Sequence, residues 1–151
     1  MTVFDSMDAS LLFVVPPMAA LPFFTERVAA GFPSPAQGYM EAPLDLNQLC
    51  IRQAEATFLL RVEGESMVEA GIFPDDILVV DRSLEASHGD VVVASLNGEF
   101  TVKELRLRPE PMLVPRNPRY GAILLAEQAC EVFGVVTFSL HAHHPVARSR
   151  R

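Results

Sequence analysis

Thr57-Phe58-Leu59-Leu60-Arg61-Val62-Glu63-Gly64-Glu65-Ser66-Met67 is the stretch from which the rest of the chain is read. It runs as an apolar, strand-like segment, passes one glycine and arrives at a serine. Beyond it come further β-rich segments at 77–81, 90–96, 99–107, 112–115 and 130–140, with glycine and aspartate at the joints, as in Gly71-Ile72-Phe73-Pro74-Asp75-Asp76 and His88-Gly89-Asp90. Asn97-Gly98 separates two of these segments, and both residues tolerate the positive backbone angles of a tight hairpin. No stretch carries the long 3.6-residue apolar period that crossover helices need. The expectation is a mostly β protein, a curled and largely antiparallel fold rather than βαβ units.

With 151 residues, half of them hydrophobic and 21% charged, the chain has material for one domain with a real core. Its formal net charge of −7 gives it no electrostatic grip on a phosphate backbone, so direct nucleic-acid binding is not expected. Cys50 and Cys130 match no metal or redox spacing and read as buried thiols in a reducing compartment. The greasy run Leu11-Leu12-Phe13-Val14-Val15 follows Asp5 and Asp8 and precedes Pro16-Pro17, without the basic leader of a signal peptide. It is also far too short to span a bilayer. A cytoplasmic protein without membrane contact is expected.

Residues 1–47 are punctuated by Pro16, Pro17, Pro22, Pro33, Pro35 and Pro43, which disfavours a long helix or a central strand. They read as a mobile N-terminal arm, extended yet sticky through clusters such as Phe23-Phe24. Asp45-Leu46-Asn47-Gln48-Leu49-Cys50-Ile51 reads as a short helical turn capped by Asp45 at the entrance to a β-domain over 48–143. Residues 144–151 read as a flexible tail. His141, His143 and His144 lie close in sequence, but at a chain end such a group is read as adventitious, and neither a metal nor a cofactor is expected.

Ser66 carries the chemistry in two possible ways. As a cap, its hydroxyl would close the turn that Met67-Val68-Glu69-Ala70-Gly71 suggests. As a nucleophile, it would be held by the sheet yet exposed, with backbone amides near Glu65 and Ser66 ready to receive an oxyanion. A hydroxyl needs a base. His88 sits in a turn signal and the other histidines lie near the end, so a Ser-His-Asp arrangement is weak, and Gly64-Glu65-Ser66-Met67-Val68 is not a G-x-S-x-G elbow. Lys103, inside Phe100-Thr101-Val102-Lys103-Glu104-Leu105, shares a strand face with Thr101 and Leu105. It either extends its amine to solvent or pairs with an acid, or it sits dry beside Ser66, where desolvation would leave it neutral and basic. Serine–lysine catalysis needs no histidine.

Phe32-Pro33-Ser34-Pro35, Asp45-Leu46-Asn47-Gln48-Leu49, Gly64-Glu65-Ser66-Met67, Ala86-Ser87-His88-Gly89-Asp90, Gly98-Glu99-Phe100-Thr101-Val102-Lys103 and Val132-Phe133-Gly134-Val135-Val136 together carry a family resemblance. The chain resembles the self-cleaving LexA- and UmuD-like proteins of the bacterial DNA-damage response, and within them the UmuD-like mutagenesis branch. The residues before Phe23 stand outside the resemblance. It implies a LexA/signal-peptidase-like β-fold, Ser66 as nucleophile, Lys103 as general base and Ala30-Gly31 as the bond cut. It further implies a homodimer and cleavage promoted by a recombinase filament on single-stranded DNA. The shortened product is then expected to join the catalytic subunit of a Y-family translesion polymerase. The helix-turn-helix of the repressor members has no room before Ala30. Two rivals remain: a noncatalytic module that only clamps a partner, and signal-peptidase chemistry, which the lack of a spanning segment disfavours.

Overall fold

Asn97 and Gly98 turn the chain with φ of 52° and 87°, as the hairpin reading expects, and join β5 (Val91–Leu96) to β6 (Glu99–Arg106) in antiparallel register, Leu96 opposite Glu99. The computed structural model describes residues 20–24, 27–31 and 42–148. The chain divides into two compact units, Met1–Leu49 and Cys50–Arg151.

In the first unit, β1 (Ala20–Leu21) pairs antiparallel with β2 (Leu44–Asp45). β1 stops at Pro22, which has no N–H to offer a ladder. The helical turn α1 (Leu46–Cys50) follows, and Asp45 Oδ1 accepts the Asn47 amide at 2.9 Å, the capping role read for it. Cys50 and Cys130 are both free and only partly buried, less enclosed than their apolar neighbours in sequence suggest.

The second unit is built on one seven-stranded sheet. It adds β3 (Thr57–Arg61), β4 (Ile77–Asp81), β7 (Met112–Val114), β8 (Ile123–Leu124) and β9 (Cys130–Leu140), in the order β3-β4-β9-β5-β6-β7-β8 and antiparallel throughout. Among the described residues the sheet is open, with β3 and β8 at its edges, which corrects the expectation of a curled architecture. The strand-rich sequence is the same for either outcome; what differs is whether the outer strands meet, and here they do not.

β9 is the spine. Its first half pairs with β5 and its second with β4, and the register slips between Val93 and Ala94 and between Val79 and Val80. Gly134 sits at this crossing, where a Cβ would lie 2.7 Å from Val80 Cγ1, so only glycine lets the strands approach. Alternation along β5 then splits the core. Val93 packs with Val62, Met67, Ile72, Leu78 and Val80, while Val92 and Ala94 pack with Leu105, Leu113 and Val135. α2 (Pro145–Arg148) closes the described chain. No helix among the described residues is long and apolar enough to cross a membrane.

Candidate active site

The first core cluster fixes the floor under the serine. Val62 is bonded to the β4 entrance in both directions, its amide to the Asp76 carbonyl and its carbonyl to the Asp75 amide, each at 2.8 Å. Gly64 then takes φ of 86°, a left-handed turn that side chains disfavour, and Met67 is buried on the far side. Ser66 is thus held between two anchored points.

Ser66 is not a cap. The short 3₁₀ turn Val68–Ala70 begins after Met67 and has no side-chain cap bond. The Ser66 hydroxyl instead lies 3.0 Å from Lys103 Nζ, across 37 residues of sequence. Lys103 is 9% exposed, so of the readings for it the solvent-reaching one is excluded. Its Nζ also contacts Thr101 Oγ1 at 2.8 Å and the Val102 carbonyl at 3.1 Å. No carboxylate pairs with it among the described residues. Burial without a counter-charge disfavours the ammonium and lowers the pKa of Lys103 from its ordinary value.

The three surrounding oxygens can accept from an ammonium and also accommodate a neutral amine. Such an amine has two hydrogens and one lone pair. The Val102 carbonyl can only accept and Thr101 Oγ1 can accept, which leaves the lone pair for the Ser66 hydroxyl. The pair opens on a cleft of about 350 Å³ whose apolar wall includes Leu60, Val62, Phe100 and Val102.

Among the described residues neither the Glu65 nor the Ser66 amide donates to another backbone carbonyl. Their carbonyls, by contrast, are engaged. The Arg116 amide donates to the Ser66 carbonyl and Asn117 Nδ2 to the Glu65 carbonyl, both at 2.8 Å. Sequence reading missed Asn117 altogether; the one signal was its setting between Pro115 and Pro118, which stiffens the chain on either side.

Glu104, next to the lysine, binds Arg106 Nε at 2.7 Å and Arg116 Nη1 at 2.8 Å. Burial pushes its carboxyl up, but the two arginine bonds outweigh that and hold it below the usual range. The histidines serve elsewhere. His88 Nδ1 accepts the Leu107 amide at 2.9 Å, and His141 pairs through Nδ1 with Asp76, which is 1% exposed. Neither borders the cleft. His141 is therefore tied to the sheet rather than fraying. Among the described residues no group of three or more histidines, cysteines or acids is arranged to hold a metal ion.

Ala30 and Gly31 lie in the first unit, both exposed in a bend. Phe32-Pro33-Ser34-Pro35, one of the stretches that carry the resemblance, lies outside the described residues, as does the N-terminal apolar run 11–15.

An open antiparallel sheet that sets a serine hydroxyl against a buried lysine with no counter-charge defines a class of mostly β proteins. Comparison with known proteins makes the class particular. Residues 22–137 match the family described as Peptidase S24-like, and the chain belongs to that family, the UmuD- and LexA-like self-cleaving proteases of the bacterial DNA-damage response. It is 47% identical over 146 residues to Protein MucA of Salmonella typhimurium, covering 95% of each chain. It is 52% identical over 122 residues to Protein ImpA of Salmonella typhimurium, covering 80% of this chain and 83% of that one. LexA repressor 2 of Pseudomonas syringae pv. tomato is 41% identical over 100 residues, 66% of this chain but only 49% of the repressor. The family match begins at residue 22, close to the Phe23 boundary read from the sequence, while the likeness to MucA, at 95% of this chain, extends into the residues before it. Membership in this family supports a self-cleaving serine protease role in the mutagenic arm of the damage response.

Proposed function

We propose that the protein cuts its own arm between Ala30 and Gly31, with Ser66 as nucleophile and Lys103 as general base. The observation that carries this reading is the 3.0 Å contact between Lys103 Nζ and Ser66 Oγ, made by a buried lysine without a counter-ion. Neutral Lys103 accepts the hydroxyl proton as Ser66 Oγ bonds to the Ala30 carbonyl carbon. The amides of Glu65 and Ser66 receive the oxyanion. Lys103 then gives the proton to the Gly31 nitrogen as the peptide bond breaks, leaving Ala30 esterified to Ser66. Water, deprotonated by Lys103, hydrolyses the ester, so the chemistry requires no cofactor.

Gly31 removes a side chain on the leaving side and Ala29 and Ala30 permit close approach. Because the arm is its own substrate, effective concentration replaces affinity, and the rate at rest is set by how rarely the arm docks productively. A recombinase filament on single-stranded DNA acts by raising that population. The cleaved protein, as a homodimer in the cytoplasm, then serves a Y-family translesion polymerase as accessory subunit. That role follows the likeness to the UmuD-type relatives, and the acidic chain leaves contact with DNA to its partners.

The test is incubation of the parent, Ser66→Ala and Lys103→Ala proteins at alkaline pH and, separately, with filament. The expected result is a fragment beginning at Gly31 from the parent alone. Cleavage at that bond by either variant would refute the dyad, and no cleavage by the folded parent under both conditions would favour a noncatalytic partner-binding module.

A further inference from the structure

Two consecutive carbonyls on the nucleophile loop are each bonded by one short strap, and the Glu65 carbonyl also receives the Val68 amide of its own turn at 3.4 Å. The Asn117 side chain takes the Glu65 carbonyl and the Arg116 amide takes the Ser66 carbonyl, while the Arg116 carbonyl receives the Glu69 amide at 2.9 Å. In a planar trans peptide the carbonyl and the following N–H point in opposite directions. The bond from Asn117 to the Glu65 carbonyl, at 2.8 Å much shorter than the 3.4 Å contact that the Val68 amide also makes there, therefore sets the direction of the Ser66 N–H, turning it away from the strap. That amide is one of the two oxyanion donors in the reading given above, on which the present inference rests.

Asn117 is built for this task. It is 9% exposed, and its other end is occupied, Oδ1 accepting the Arg119 amide at 3.0 Å. The amide therefore cannot rotate to exchange its oxygen and nitrogen without setting two acceptors, or two donors, against each other. The strap is tied in turn to the strand of the base. Arg116 binds Glu104, which adjoins Lys103 on β6 and also holds Arg106. One segment thus links the loop of the hydroxyl, its amides and the strand of the amine.

We propose that Asn117 is a positioning residue for self-cleavage, aiming the Ser66 amide at the oxyanion by holding the Glu65 carbonyl. It touches neither the scissile bond nor Lys103. Its removal should leave proton transfer between Ser66 and Lys103 intact and weaken oxyanion stabilisation alone.

The experiment measures the first-order rate of full-chain cleavage from neutral to alkaline pH for the parent, Asn117→Ala, Asn117→Asp and Ser66→Ala, with a thermal melt of each. Asn117→Asp keeps the size and the acceptor for Arg119 but sets a carboxylate oxygen against the Glu65 carbonyl. Loss of one oxyanion donor typically costs about 10²–10³-fold, and a donor misaligned rather than lost should cost roughly 10- to 100-fold in the alkaline plateau. The expected signature is that fall in both variants, with the pH of half-maximal rate unmoved and the melting midpoint near the parent's. A merely structural asparagine would not separate plateau from inflection in this way. Rates close to the parent's in the folded variants, or an inflection that shifts with the rate, would overturn the proposal. So would failure of both variants to fold, which would assign Asn117 to stability. If the parent does not release a fragment beginning at Gly31, or Ser66→Ala does, the cleavage reading itself falls and this one with it. Cleavage by the parent that is lost in Ser66→Ala but kept in the Asn117 variants sinks the Asn117 role alone.

Discussion

Replacing Lys103 by methionine tests the buried amine through stability, independently of whether any peptide bond is cut. The background is Ser66→Ala, which on the proposed mechanism blocks self-cleavage while leaving Thr101 Oγ1 and the Val102 carbonyl as partners of Nζ. Burial lowers the pKa of Lys103 in the fold, so between that value and the ordinary lysine value near 10.4 the unfolded chain binds more protons than the native one. Stability must then rise with pH, by up to about 1.4 kcal/mol for each pH unit inside that window. Below the folded pKa the full cost of burying the ammonium is present, and above the unfolded pKa it has vanished. Methionine has a similar length and no proton, so Ser66→Ala/Lys103→Met lacks this term. Denaturant unfolding of the two proteins at intervals from about pH 7 to about pH 10 should show the Ser66→Ala protein gaining on the double variant as pH rises. A difference between them that stays flat to within about 0.3–0.5 kcal/mol over that range would refute the reasoning, because the lysine would then titrate alike in both states.

Other outcomes are expected from the same geometry. Thr101→Val removes the oxygen 2.8 Å from Lys103 Nζ and frees the amine to turn, so self-cleavage should slow about tenfold in a folded protein, read from the fragment beginning at Gly31. The cleavage rate of the parent should rise with pH and level off below the ordinary lysine pKa, because in the proposed mechanism the neutral amine is the active form; a rate still climbing well above that pKa would contradict a desolvated base. Glu104→Gln should cost about 1–2 kcal/mol at neutral pH by weakening the bonds to Arg106 and Arg116. Since the folded Glu104 pKa is depressed, that loss should be complete above about pH 4.3 and close as pH falls through the folded value, which acid unfolding curves would check. Gly134→Ala should cost about 1–3 kcal/mol in thermal or denaturant unfolding, since the new Cβ meets Val80 Cγ1, a side chain with no exposed surface to move into.

The division between what the residues announced and what they withheld follows the range of the forces involved. Asn97-Gly98 specifies a turn by its own backbone preferences, and strands 77–81 and 130–140 appear where the β-branched runs put them. β8 was not legible, because two residues have no periodicity; Ile123 and Leu124 become a strand only by pairing with Leu113 and Met112. The open sheet was not legible either, since closure depends on whether β3 and β8 meet, and no local preference encodes that. The site repeats this division. A serine after a glycine turn and a lysine within an apolar strand were visible as types, yet each carried an ordinary alternative, a cap or a solvent-reaching charge. What decides between the alternatives is the fate of polar groups at long range. Lys103 lies deep enough that its oxygens, not water, must satisfy it, and one of those oxygens is the Ser66 hydroxyl, 37 residues away. Asn117 could not be found the same way, because its task is defined by a carbonyl 52 residues distant rather than by its own chemistry. A buried amine whose charge is disfavoured and an asparagine amide held to point one way are both costs to folding unless something else uses them, and both converge on Ser66, one at its hydroxyl and the other at the Glu65 carbonyl that precedes it. That convergence makes a shared chemical task the simpler account of the two constraints than two unrelated structural ones.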